Sequence, residues 1–201
     1  MLSTLPLIGP LEVDTFALLQ EVGRLRILAW KADGELPSIA PKTETWLDEH
    51  DLHAVNWALL CDRTPVAATR MCVHHDALDL PDLVSLAGFE ASLPMPVAVF
   101  TRLVIDPQHR GLGLSSQLDN LRLTAAQSEG RRSAVVVTHL STRMQQLSQI
   151  SFRILGESAH RTVSSAPSFV FVRHLPSDDT ALSESRPCSS TWVAARGPGD
   201  Q

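Results

Sequence analysis

The run QHRGLG, residues 108–113, separates the strand-forming segment VAVFTRLVID from LSSQLDNL, whose apolar residues fall at helical spacing. Glycines let a backbone approach a ligand closely, and the first N–H groups of a helix carry partial positive charge. A strand, a glycine turn and a helix start in that order predict an anion site. A nucleoside-triphosphate loop would need lysine after Gly113, where Leu114 stands. The dinucleotide fingerprint G-x-G-x-x-G would put its third glycine at Ser116 and should open the domain directly after its first strand. Here two or three strands precede the turn. What is satisfied is Q/R-x-x-G-x-G/A, through Gln108, Gly111 and Gly113.

The surrounding elements must hold that turn in place. Apolar residues from Asp14 to about Lys31 recur with helical period, with Asp14 or Thr15 as N-cap. TETWLDEHD reads as a short helix. HAVNWALLCD and VAATRMCVHH read as a hairpin turned at RTP. Val97–Asp106 is apolar on both faces, the mark of a central strand. Leu114–Glu129 is a helix stopped by Gly130, RSAVVVTHL a buried strand, STRMQQLSQI a helix, and FRILGESAHR with SFVFVRHL a closing strand pair. Residues 76–96, with three prolines, read as an insertion. The order predicts one α/β (α+β) domain of mixed sheet over residues 1–175, and the Ser-, Pro- and Asp-rich residues 176–201 read as a disordered tail.

Composition narrows the partners. The net charge of −5 gives no electrostatic case for nucleic-acid binding, and no apolar run is long enough to span a membrane. The pairs Arg24 with Arg26 and Arg131 with Arg132 read as solvated faces. Pro6 and Pro10 interrupt the N-terminal apolar stretch, which has no basic start, so no signal peptide is expected. Cys61, Cys72 and Cys188 are odd in number and lack C-x-x-C spacing, which fits a reduced, cytoplasmic protein.

TRLVIDPQHRGLGLSSQLDNL resembles the coenzyme A signature of the GNAT N-acetyltransferase superfamily, and the element order over residues 14–175 resembles that fold. The resemblance implies a mixed, mostly antiparallel central sheet flanked by helices, with acyl-CoA bound where two central strands splay. It implies acetyl-CoA or another acyl-CoA as co-substrate, no metal, and a small-molecule amine as acceptor. By resemblance, Leu103, Val104 and Ile105 would hold the pantetheine arm as a false extra strand. Gln108, Arg110, Gly111, Leu112, Gly113, Leu114 and Ser115 would wrap the pyrophosphate, with the Arg110 side chain free to add charge. Oligomeric state is open, with a homodimer among the outcomes.

The chain departs from the family where proton transfer is usually done. Thr101 stands at the position of the familiar central-strand Glu, Leu147 at that of the Tyr, Ser141 at that of the Asn, and Ser151 for the Gly before Phe152. The sequence contains no tyrosine at all. His139, at the end of AVVVTHL, is the candidate base. His74 and His75 are candidates for facing the acceptor, and Ser148 for donating a proton, although each has an ordinary structural reading as a loop or surface residue. Asp48, His50, Asp51 and His53 offer metal ligands on paper but read as a charged helix end. Trp30, Trp46 and Trp57 are candidates for an acceptor pocket, with packing as the default. The first expectation is transfer of a short acyl group from coenzyme A to a primary amine by direct attack. The alternatives are a long-chain N-acyl transferase related to N-acyl amino acid or acyl-homoserine-lactone synthases, and an acyl-CoA-binding sensor without turnover. Autoinducer synthases draw on a carrier protein, so an intact QHRGLG favours free coenzyme A.

Overall fold

The computed structural model describes residues 6–34, 44–76, 80, 86–161 and 166–176. Seven strands form one sheet in the order β1-β2-β3-β4-β5-β7-β6. They are β1 (Leu7–Glu12), β2 (Val55–Cys61), β3 (Thr64–His74), β4 (Val97–Ile105), β5 (Ser133–Thr138), β6 (Arg153–Arg161) and β7 (Pro167–His174). Three helices run wholly within the described residues: α1 (Phe16–Asp33), α2 (Leu114–Ser128) and α3 (Ser141–Gln149). Every neighbouring pair of strands is antiparallel except β4 and β5, which run parallel and are joined across α2. No helix among the described residues is long and apolar enough to cross a membrane.

Most elements lie where the periodicity predicts them, and the differences have local causes. β1 is unforeseen because Pro10 breaks its pattern. An edge strand tolerates proline, and Gly9 at φ +111° supplies a bulge there. A Cβ at Gly9 would lie 2.8 Å from Leu11 N and 2.9 Å from Ala58 O, so only glycine fits. From Glu44 onward TETWLDEHD is not an α-helix: residues 45–48 are irregular, and Glu49–Leu52 form one 3-10 turn. Asp48 caps that turn through His50 N–H while Asp51 accepts from Asp48 N–H, a reciprocal cap that satisfies the backbone without further helix. The hairpin turns at Asp62 and Arg63, both left-handed, one step before the predicted RTP. Within the 76–96 insertion, Leu80, Leu86 and Leu93 are buried and Glu90–Ser92 make a 3-10 turn. The tail predicted to be disordered lies outside the described residues from 177 onward.

Three apolar clusters hold the layers. On one face α2 and α3 cover Trp57, Leu59, Met71, Ala98, Phe100, Val136 and Phe171. On the other face α1 covers Ala58, Leu60, Ala68 and Val104. Further along that second face, Leu80, Leu86 and Leu93 cover Val97, Val99, Val135, Val170 and Val172.

Candidate functional site

β4 changes phase at a bulge. Ala68 pairs with Val104 and Arg70 with Thr101, so Thr69 on β3 faces two residues, Arg102 and Leu103, on β4. Arg102 takes φ +55°, a left-handed conformation that costs a non-glycine residue about 1–2 kcal/mol. The extra residue resets the alternation: Ala98 and Phe100 belong to the α2 side, and past the bulge Leu103 and Ile105 do.

Beside the bulge the sheet opens. β4 and β5 pair only at Val97↔Ser133, Ala98↔Ala134 and Val99↔Val135. Beyond that point β4 continues on β3 as far as Ile105↔Ala67, while β5 continues on β7 as far as Thr138↔Phe169. Phe100–Ile105 therefore present a strand edge in the interior of a sheet with no ladder partner among the described residues. An extended ligand could add to such an edge as a strand does.

The glycine turn stands at the open end of this gap. Asp106 N–H bonds Val66 O, and the Asp106 carboxylate accepts from Gln108 N–H and contacts His109 Nδ1 at 2.9 Å. Pro107–His109 form a 3-10 turn, after which Gly111 and Gly113 adopt φ +80° and +75°. Gly113 is the N-cap of α2 and no side chain caps that helix, so its first N–H groups point outward unclaimed by a cap. A Cβ at Gly111 or Gly113 would meet nothing within 4 Å, which leaves open space over the helix start. Leu112 is exposed and Leu114 is buried beneath. Arg110 is not free as expected: its guanidinium makes two hydrogen bonds to Asp33, at 2.7 and 3.0 Å.

His139 follows Thr138 at the carboxyl end of β5. Because β4 and β5 are parallel, His139 and the glycine turn share one end of the sheet, on opposite lips of the gap. His74 pairs with Val97 at the far end of β4, so the structure separates it and the adjoining His75 from the turn by the length of that strand. Ser148 is exposed and donates to Met144 O at 3.0 Å. Leu147 is fully buried in the α2-side cluster, beside Phe152. Cys61, Cys72 and Trp57 are buried in the core.

The sequence reading missed a polar belt at the level of the bulge. Arg26, taken for a solvated residue, is fully buried, and donates to Asp51 at 2.8 Å and Asn56 at 3.2 Å. Asp48 and Asp51 are therefore not a charged helix end. Arg70 reaches Asp48 at 2.5 Å and Asp51 at 3.1 Å, and its Nε donates to Thr101 Oγ1 at 2.9 Å. Arg102 Nη2 donates to Asp48 at 2.6 Å. Its guanidinium carbon lies 5.0 Å from the Trp30 ring centroid and 5.3 Å from that of Trp46, and the two indoles meet edge to face. Burial pushes the Asp48 carboxyl upward, but Arg70 and Arg102 outweigh it and bring it down to about 2. Asp51 is likewise lowered, burial being overcome by Arg26. The belt lies between the two apolar clusters of its face. Its signal in sequence was Arg26 on the buried stripe of α1 and Arg70 and Arg102 inside apolar strands, where an unpaired charge would be prohibitive.

A second buried group joins α2 to α3. Asp119 accepts from Arg122 and, through both oxygens, from Arg143. Arg122 is buried 4.5 Å from the Phe100 ring centroid, and burial, partly offset by Asp119, lowers its guanidinium to about 10.

No protein-family model matches this sequence, and no curated protein does. Solved structures do match in shape. FeeM, an N-acyl amino acid synthase from uncultured soil microbes, superposes with a TM-score of 0.65 at 14% identity, covering 86% of this chain and 93% of its own. The ribosomal-protein-S18-alanine N-acetyltransferase of Escherichia coli gives 0.58 at 10%, covering 89% and 99%. The fold is that of the GNAT superfamily. BjaI, a CoA-dependent acyl-homoserine lactone synthase solved with SAM and isopentyl-CoA, shares it at 0.62 and 13%, over 80% of this chain and 77% of its own. The GNAT sheet was legible from one turn and the order of elements. BjaI also corrects the expectation that homoserine-lactone synthases with this fold depend on a carrier protein.

Proposed function

We propose that this chain is an N-acyltransferase that takes an acyl group from a coenzyme A thioester and delivers it to an amine. The observation that carries the reading is the coincidence of two openings: an unpaired β4 edge from Phe100 to Ile105, and an uncapped α2 start with two left-handed glycines at its end. The edge suits the amides of pantetheine, and the turn suits a pyrophosphate. Leu103, Val104 and Ile105 would supply the backbone contacts, and the residues from Gln108 to Ser115 would surround the diphosphate.

The amine nitrogen would attack the thioester carbonyl carbon, β4 N–H groups would hold the resulting oxyanion, and the C–S bond would break to release coenzyme A thiolate. A thiol of ordinary acidity, about 8.5, leaves without an acid, which accommodates Leu147 in place of tyrosine. His139, on the opposite lip, would take the amine proton through water. Thr101 is a hydroxyl that receives a guanidinium hydrogen bond, so it is suited to donate toward the site and not to act as base.

Acyl length has two readings, acetyl and longer. The longer one draws support from the likeness to BjaI, solved with isopentyl-CoA, and from half-buried Leu103, Val137 and Phe169 flanking the gap. Calorimetric titration with acetyl-CoA, desulfo-CoA and a long-chain acyl-CoA, followed by a thiol-release assay with amines, tests the proposal. Micromolar binding with release supports it, and the tighter thioester assigns chain length. Binding without release for any amine would make the protein a sensor, and absence of binding would remove the proposal.

A further inference from the structure

The buried group between α2 and α3 sets two guanidinium groups, Arg122 and Arg143, against one carboxylate, Asp119. Joining the two helices needs one arginine for that carboxylate, and Arg143 already binds both of its oxygens. Arg122 is in excess, although its side chain is only 1% exposed and its Nε has no hydrogen-bond partner among the described residues. Burial draws its guanidinium down to about 10, so it still carries its charge at neutral pH. The charges acting on it are those of Asp119 and Arg143. Among the described residues one positive charge is thus uncompensated in a poorly hydrated place, which is unfavourable unless an anion comes near.

Arg122 also lies at the inner end of the gap. Its guanidinium carbon is 4.5 Å from the centroid of the Phe100 ring, and Phe100 is the first residue of β4 beyond Val99↔Val135, the last pair with β5. A pantetheine arm that enters at the glycine turn and runs inward along Ile105, Val104 and Leu103 would bring its sulfur toward that level. Leu147, at the place of the family's tyrosine, belongs to the same apolar cluster as Phe100 and follows Arg143 by one helical turn. We infer that Arg122 stabilises the leaving coenzyme A thiolate through its charge, in place of the acid that this chain lacks. The inference rests on the acyl-transfer reading and adds to it a group that serves the departing sulfur. As the C–S bond breaks, its electron pair moves onto sulfur, the amine proton goes to His139 through water, and the new anion offsets the excess charge beside Phe100. Phe100, Leu118 and Leu147 are all buried, so the attraction is screened far less than at a surface.

The test titrates bound coenzyme A, its thiolate read by ultraviolet absorbance against a desulfo-CoA blank. The bound thiol is expected to ionise roughly one pH unit or more below its ordinary value of about 8.5. Arg122→Met leaves Asp119 paired with Arg143, so the fold should stand while the shift disappears and kcat falls about tenfold, with desulfo-CoA affinity unchanged. Arg122→Lys should keep most of the shift. Asp119→Asn should enlarge it by removing the negative member, whereas a merely structural link broken by either change would move the thiol in one direction. Arg143→Met, which leaves Asp119 to Arg122, should abolish the shift as Arg122→Met does, and it replaces Asp119→Asn if circular dichroism shows that variant unfolded. A bound thiol that ionises at its ordinary value, or a lowered one unmoved in Arg122→Met, would overturn the inference and leave acyl transfer standing. Binding of neither coenzyme A nor desulfo-CoA would overturn the acyl-transfer reading itself, and this inference with it.

Discussion

Asp33, the last residue of α1, holds both arms of the Arg110 guanidinium, tying the glycine turn to a helix 77 residues earlier in the chain. Both partners are partly exposed, and such pairs contribute at most about 1 kcal/mol to stability. The pair matters more for charge: a carboxylate stands beside a turn proposed to hold a pyrophosphate and occupies the one arginine within it. Asp33→Asn should therefore strengthen acyl-CoA binding several-fold, by freeing Arg110 and removing a repulsion, with the melting temperature nearly unchanged. Calorimetry at low and high salt checks this, since the gain should shrink as ionic strength rises.

Gly111→Trp should abolish acyl-CoA binding while leaving the sheet folded. The space over Gly111 is open, so the cost to the fold is the left-handed backbone alone, about 1–2 kcal/mol. Unchanged affinity with a small loss of stability would mean that no ligand uses the turn.

His139→Ala should lower kcat by about a hundredfold and flatten the rise of rate with pH across neutrality. A profile with the same shape and height would remove His139 from the proton path and leave bulk water as acceptor.

Asp48 makes the belt sensitive to acid. Its carboxyl sits at about 2 in the folded protein against 3.8 ordinarily, so between these values the unfolded chain binds more protons than the native one. The stability it contributes is full above about pH 4 and is lost as pH falls toward 2. Urea titrations from pH 5 to pH 2 should show a steeper fall for the native protein than for Asp48→Asn, which should start less stable and change less.

Asp51→Ala should cost about 3–5 kcal/mol, because it strands Arg26 at full burial. Replacing the pair together, Arg26→Met with Asp51→Leu, should cost less than the single change. Denaturant midpoints of the two variants decide it.

The sequence exposed the fold where patterns are local. Alternation in β2 and β3, the doubly apolar β4 and the glycine stop after α2 each follow from neighbours a few residues apart. It hid what depends on distant partners. Arg26, Asp51 and Asn56 meet only after α1 and β2 have packed, so Arg24 and Arg26 looked alike although one is solvated and the other sealed. β1 escaped because Pro10 is forbidden in a central strand but harmless at an edge, and edge status is a property of the whole sheet. The candidate site divides in the same way. The turn from Gln108 to Ser115 was readable because its contacts are backbone and its signal contiguous. Arg102 was not, because its importance lies in an irregularity that a run of apolar letters conceals.

That irregularity sets a limit on how β4 can change its length. The bulge is a half-period slip in an otherwise two-residue rhythm, where two residues occupy the place of one. Deleting Arg102 at the slip would merge the two frames without turning any other side chain: Leu103 and Ile105 would stay toward α2, Val104 toward α1, and the pairing of Val104 with Ala68 would hold. A single deletion elsewhere in β4 would instead reverse every residue between the cut and the slip. Loss of one residue from β4 should accordingly be tolerated by the fold at the slip, at the expense of the belt, and nowhere else in the strand.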